Sequence, residues 1–228
     1  MGKGQGRAAL IGVGLVGLCA VTACASQGSG GGGGEASSSN SFHPSGSMSG
    51  APAASSGTGT GAGQVTMPAF GKNVHIVLTS WHPANASQAQ AVLVDKNYEL
   101  AYLYAEYTSG QDSSWANYVS STMQTEVQGA LAQPGVTTES FTGTIRIFDM
   151  SVVADPTVPG RLDVSGCFDN AQSANTSKKT GQTIPDTGSP DLHYYRYTDQ
   201  LAKDTSGQWQ VTSDLPAIYY PRAKECKP

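Results

Sequence analysis

Phe141-Thr142-Gly143-Thr144-Ile145-Arg146-Ile147-Phe148-Asp149-Met150-Ser151-Val152-Val153 is a β-branched and aromatic run. That composition fits a half-buried pleated surface and reads as a strand. Ile145, Ile147 and Asp149 share one parity; Arg146, Phe148, Met150 and Val152 share the other. Asp155-Pro156 and Pro159-Gly160 mark a turn. Leu162, Val164, Gly166 and Phe168 then alternate with polar residues as a second strand. Residues 169–190 are rich in Ser, Thr, Asn and Pro and read as a long loop. His193 to Leu201, with Tyr194, Tyr195 and Tyr197, gives a third strand. A hairpin-like turn at Asp204-Thr205-Ser206-Gly207 leads to a fourth, Gln208–Ser213, carrying Trp209 and Val211.

Upstream, the period changes from two to 3.6. Asn73 to Leu78 reads as a short strand or ordered lead-in. Pro83-Ala84-Asn85 announces a helix, with Asn85 and Gln88 in capping-box spacing. Ala89, Leu93, Leu100, Leu103, Tyr104 and Tyr107 form its apolar face, and Asp95, Glu99, Tyr102 and Glu106 the opposite side. Lys96 and Asn97 interrupt the apolar face and are candidates for a polar pocket floor, snorkelling of Lys96 being the plainer alternative. A short helical turn is expected near Trp115–Val119. Met123, Val127 and Leu131 then mark another helix, closed by Pro134-Gly135. Helices first and antiparallel strands afterwards mean an α+β fold, with helices packed on one face of a sheet of about four strands.

Composition outside this domain sets its expected address. Residues 1–23 hold Lys3, Arg7 and an uncharged run from Ala8 to Ala23, the layout of a secretory signal. Val21-Thr22-Ala23-Cys24 ends it and resembles the lipobox of bacterial lipoproteins, in which the cysteine is acylated. The alternatives are a chance match or an ordinary cleavage site. Residues 25–65 contain 12 Gly and 11 Ser with one charge, Glu35. Such a segment buries too little to offset its ordering entropy and is expected to be a disordered linker, with Phe42-His43-Pro44 its sole feature. The expected organisation is therefore a signal peptide at 1–23, a lipidated Cys24 and linker over 24–65, and one domain over 66–228. The partner implied is a bilayer, at the outer face of the cytoplasmic membrane.

Cys19 lies inside the signal and Cys24 takes the lipid, leaving Cys167 and Cys226. In an oxidising compartment their pairing is the simplest outcome, two free thiols being the alternative. Scattered histidines and distant cysteines lack metal-ligand spacing, so neither metal nor cofactor is expected. Removing Lys3 and Arg7 from the 13 basic residues leaves 11 against 17 acidic ones, a balance of −6. That argues against nucleic acid, which needs a clustered basic face.

The two-helix start over Asn85–Ala132, the strand end Val164-Ser165-Gly166-Cys167-Phe168-Asp169 and Gly207-Gln208-Trp209-Gln210-Val211 before Cys226 carry a family resemblance. The chain resembles the nuclear transport factor 2-like superfamily, a cone of curved antiparallel sheet wrapped by N-terminal helices. More closely, it looks like the uncharacterised lipoproteins of that type common in actinobacteria. The resemblance spans roughly residues 81–226 and implies a bond between Cys167 and Cys226. It also admits cyclase or isomerase chemistry, in which a pocket base works opposite a hydroxyl donor. Candidate bases are Asp149, Asp163 and His193, and candidate donors Tyr104 and Tyr195. Isolated His75 and His82 read as surface or structural residues, and the standard hydrolase and phosphate-loop motifs are not present in the sequence. Three functions compete: a non-catalytic binding domain for an envelope partner or small apolar ligand, a small-molecule enzyme, and a structural subunit of an envelope assembly.

Overall fold

The computed structural model describes residues 65–79 and 81–228; the signal, Cys24 and the linker through residue 64 lie outside them. Helix α1 (Ala86–Tyr107) begins where its capping residues dictate. The Asn85 side chain accepts from the Gln88 backbone N–H at 3.0 Å, and Gln88 Oε1 accepts from Ala84 N–H at 2.8 Å, so two otherwise orphaned donors are satisfied. The helix ends at Thr108, whose hydroxyl donates to Tyr104 O at 2.9 Å. Ser109 and Gly110 follow in left-handed conformation, and Gly110 N–H donates to Ala105 O at 2.7 Å.

A 3₁₀ turn over Ser114–Asn117 precedes α2 (Ser121–Leu131), whose stripe Met123, Val127 and Leu131 is buried. Pro134-Gly135 does more than close α2: Pro134 opens a short third helix, α3 (Pro134–Thr138), a position where its fixed φ and missing N–H cost nothing.

Five strands form one mixed sheet, order β1-β2-β3-β4-β5. They are β1 (Val74–Leu78), β2 (Glu139–Ala154), β3 (Leu162–Ser177), β4 (Tyr194–Lys203) and β5 (Trp209–Tyr219). The fold is α+β, and the wholly antiparallel four-strand sheet expected from the sequence is corrected in one respect. The lead-in at 74–78 is a true strand, parallel to β2, with Val74 opposite Gly143 and Leu78 opposite Ile147. The 169–190 loop is also shorter than expected. β3 runs on to Ser177 because β2 reaches back to Glu139 and offers it a ladder, pairing Glu139 with Ser177 and Gly143 with Ser173. Backbone hydrogen bonding thus outweighs a polar composition that alone reads as loop. β5 likewise continues through Leu215-Pro216 to Tyr219.

The inner face of the sheet carries Ile145, Ile147, Val164, Phe168, Tyr197, Leu201 and Val211, packed with Val92, Tyr98 and Leu103 of α1 and the α2 stripe. Gly166 makes room for this packing: a Cβ there would lie 2.6 Å from the Tyr197 ring on the neighbouring strand. A smaller cluster sits on the outer face, where Phe148, Cys167, Ala223 and Cys226 pack together. Cys167 and Cys226 form a disulfide, S–S 1.99 Å, that fixes the C-terminal segment there.

The polar side of α1 is the largest departure from expectation. Asp95, Glu99, Tyr102 and Glu106 are all buried. Tyr197 of β4 donates to Asp95, so this side of the helix meets the sheet. Of the expected apolar face, Ala89, Leu100 and Leu103 are buried as well, while Tyr104 and Tyr107 are half-buried beneath the lead-in, with Phe70 edge-on to both at 5.3 and 5.7 Å. A helix covered on both sides has no solvent face for a periodicity argument to find.

Candidate functional site

Two arrangements have the chemistry of a site. The first is interior. Asp95 and Glu99 stand one turn apart on α1, and Asp199 faces them from β4; one carboxylate oxygen of each lies within 4.8 Å of the others. Their exposures are 0%, 3% and 0%. Tyr197 donates its hydroxyl to Asp95 Oδ2 at 3.3 Å. Three carboxylates this close and dry are compatible with a shared proton or a bound cation. All-oxygen sets of this kind suit hard cations, although calcium takes six to eight oxygens. In the sequence Asp95 and Glu99 lie on the side of α1 opposite its apolar face, and nothing local marks Asp199. The available signal was an Asp-x-x-x-Glu pair beside tyrosines on a helix that lacked any other polar stripe.

The second is an open cleft of about 430 Å³, within the size range of small-ligand pockets. The first turn of α1 meets the β2–β3 hairpin and the β4–β5 turn there. Ser87 and Gln88 form one wall, Arg161 and Leu162 another, and Lys203 and Trp209 a third. Lys203 Nζ lies 5.3 Å from the centroid of the Trp209 ring, a cation–π distance. Arg161 is held by Asp155 through Nε at 2.6 Å and through Nη2. Asp155 also accepts from the hydroxyl and backbone of Thr157 and from Val158 N–H. These bonds, the Thr157 hydroxyl foremost, hold its carboxyl well below the usual carboxylate range. Asn85, Gln88, Leu162 and Trp209 stand out in the sequence only as cap and strand residues, and none of the cleft residues is a site candidate there, because they come together only when three turns converge.

The sequence candidates are dispersed. Asp149 was placed on the interior parity of Ile145 and Ile147. The ladder slips between Phe148 and Ser151, and Asp149 takes a φ of 51°. This bulge sends its side chain outward, 62% exposed and 3.5 Å from Arg196 Nη2, and gives the interior position to Met150. Asp163 is half-buried and accepts from Gln200 Nε2 at 3.1 Å. His193 Nε2 is 2.8 Å from Asp186 Oδ2 and its Nδ1 is 3.0 Å from Asn170 Oδ1, so it joins the long loop to β3. Tyr195 stacks on Phe168 at 4.9 Å, and Tyr104 lies under Phe70. The candidate bases and donors therefore do not converge on one point.

Lys96 and Asn97 also depart from the pocket-floor reading. Asn97 Oδ1 accepts from Thr66 N–H at 2.9 Å, tying down the lead-in. Lys96 is buried with Nζ 4.7 Å from the centroid of the Trp81 ring. Burial pushes its amine down to about 8, with Asp95 alongside pulling the other way. Cys24 lies outside the described residues. Compared with known proteins, the chain matches no family model and no curated protein sequence.

Proposed function

We propose that this chain is a lipid-tethered, extracytoplasmic binding domain of nuclear transport factor 2-like architecture, and that the cleft between α1 and the two hairpin turns is its ligand site. The observation that carries this reading is the cleft itself: a concavity of about 430 Å³ walled by Leu162 and the Trp209 ring and rimmed by Ser87 and Lys203. Apolar walls with a few polar groups are the usual make-up of a small-ligand site. The disulfide between Cys167 and Cys226 accords with an oxidising compartment, and the Val-Thr-Ala-Cys24 segment supplies the expected anchor. The enzyme reading draws less support, because Asp149 lies on the outer bend of β2 while Tyr195 is stacked in the core. A structural-subunit reading rests on Leu215 and Ile218, exposed on β5; an oligomer in solution that dissociates on Ile218→Asp would favour it.

The test is native mass spectrometry of protein purified from its own envelope, run beside a Cys24→Ser variant. The expected result is an acylated polypeptide carrying a small noncovalent ligand, with the variant released to the medium or left as precursor. A bare polypeptide mass that persists after gentle extraction would overturn the binding reading. Unchanged membrane fractionation of the variant would overturn the anchor.

A further inference from the structure

The disulfide sets Lys227 at a fixed place beside the sheet. Cys226 is buried and bonded to Cys167 of β3, and Lys227 N–H donates to Lys224 O at 3.3 Å. The lysine side chain lies over two rings, its Nζ 4.3 Å from the centroid of Tyr220 and 5.4 Å from that of Tyr194. Those rings are neighbours because Tyr220 N–H, just past β5, donates to Tyr194 O at the start of β4, at 3.0 Å. From the 3₁₀ turn Pro190–His193, Asp191 Oδ1 completes the set at 3.2 Å from the same nitrogen. Three groups thus converge on one ammonium, whereas Lys96, Arg146 and Lys203 each lie over a single ring. Two aromatic faces and a carboxylate are the make-up of a cage for alkylated ammonium groups, since ring quadrupole and charge both attract a cation. The surroundings favour the charged form: the Lys227 amine is held above its ordinary value, foremost by its hydrogen bond to Asp191. Residues 180–195 add a second aspartate, Asp186, and no lysine or arginine. Yet Lys227 is held weakly. Its side chain is 38% exposed and that of Asp191 42%; an ion pair this wet contributes little, and the lysine gives up rotamer freedom to stay in place. Only that side chain has to swing for the cage to open, because the disulfide keeps the backbone where it is.

We propose that Tyr194, Tyr220 and Asp191 form a second binding site, a seat for the alkylated ammonium group of an external ligand, and that Lys227 fills it as a displaceable plug. The site lies at the end of β4 opposite Lys203 and the cleft, and it stands independently of the binding reading above. A quaternary ammonium suits it better than the plug does: its methyl groups spread the charge over both rings and it is less strongly hydrated than a lysine ammonium.

The probes are choline and its neutral carbon isostere, 3,3-dimethylbutan-1-ol, titrated into the whole chain. NMR follows the ring protons of Tyr194 and Tyr220, the Lys227 Nζ signal and the methyl signal of the probe. Choline is expected to bind, its methyl signal moving upfield over the rings while the Lys227 signal moves to that of a solvated amine; the isostere is expected to leave both unmoved. Lys227→Ala removes the plug and is expected to tighten choline about fivefold. On that background Asp191→Asn and Tyr220→Leu are each expected to weaken it by about the same factor. Asp191 is exposed and outside the strand ladders, so its variant reports on the cage even where Tyr220→Leu disturbs the fold. Vesicles added in place of choline separate the sources. Ring-proton shifts with phosphatidylcholine but not with phosphatidylglycerol assign the ammonium to a lipid head group, and shifts with soluble choline alone assign it to a free compound. Isostere binding as tight as that of choline would refute recognition of a cation. Choline binding that requires Lys227→Ala would show the seat sealed by its own lysine, and the external ligand is then ruled out. If choline binds neither chain, the proposal fails outright. None of these results bears on the cleft, which the mass-spectrometric search for a captured ligand judges separately.

Discussion

At the scale of single residues, interior space and buried charge decide most. Gly166 lets the Tyr197 ring lie against the β3 backbone, and the same tyrosine donates to Asp95. Gly166→Ala forces that ring to move and is expected to cost about 1–3 kcal/mol, measurable by denaturant unfolding. Lys96 gives a signed pH effect. Its amine titrates near 8 in the folded chain against the ordinary 10.5. Between those values the unfolded chain binds more protons, so stability rises as pH climbs from about 8 toward 10.5. Lys96→Met should flatten that rise in denaturation midpoints; an unchanged slope would place its origin elsewhere. Asp155 has the opposite character: its depressed carboxyl stabilises the fold above the ordinary carboxylate range, and that contribution is lost as pH falls below it. Little of this was legible beforehand, since Asp149 and Asp199 look alike in sequence. A bulge sends one out and unbroken alternation with Tyr197 brings the other in.

At the scale of elements, caps and periodicity were the readable part. Asn85, Gln88 and Pro83 placed the start of α1 within a residue, and the Met123-Val127-Leu131 stripe placed α2. Asn85→Ala should destabilise the fold by about 1 kcal/mol through loss of its bond to Gln88 N–H; a change within error on thermal unfolding would show that the cap is dispensable. Strand lengths were not readable. The polar half of β3, Asn170–Ser177, is a strand only because β2 lies beside it, and no local window contains that information. The same holds for which face of α1 meets the sheet, because the lead-in covers the other. Lys178 shows how distant elements are locked: its ammonium donates to Val136 O at 2.7 Å and Glu106 O at 3.4 Å, joining α3 to the end of α1.

At the scale of the molecule, the α+β class followed from the order of helical and β patterns, whereas the cleft depends on three turns meeting and could not be read from any one of them. The disulfide closes a separation of 59 residues. In the chain-entropy account, removing it by Cys167→Ser and Cys226→Ser should cost about 4 kcal/mol, checked by comparing unfolding midpoints with those of the oxidised protein. A loss below 1 kcal/mol would mean that the outer cluster holds the C-terminus without it. The way the chain enters the fold has a mechanical consequence. Tension from upstream arrives first at the Thr66–Asn97 bond and the Phe70 ring, and only then at the five-residue ladder of β1. The disulfide at the opposite terminus bears none of that force. A steady tug would therefore peel this strap from α1 while the sheet stays whole, and the surface bared first would be the ring faces of Tyr104 and Tyr107.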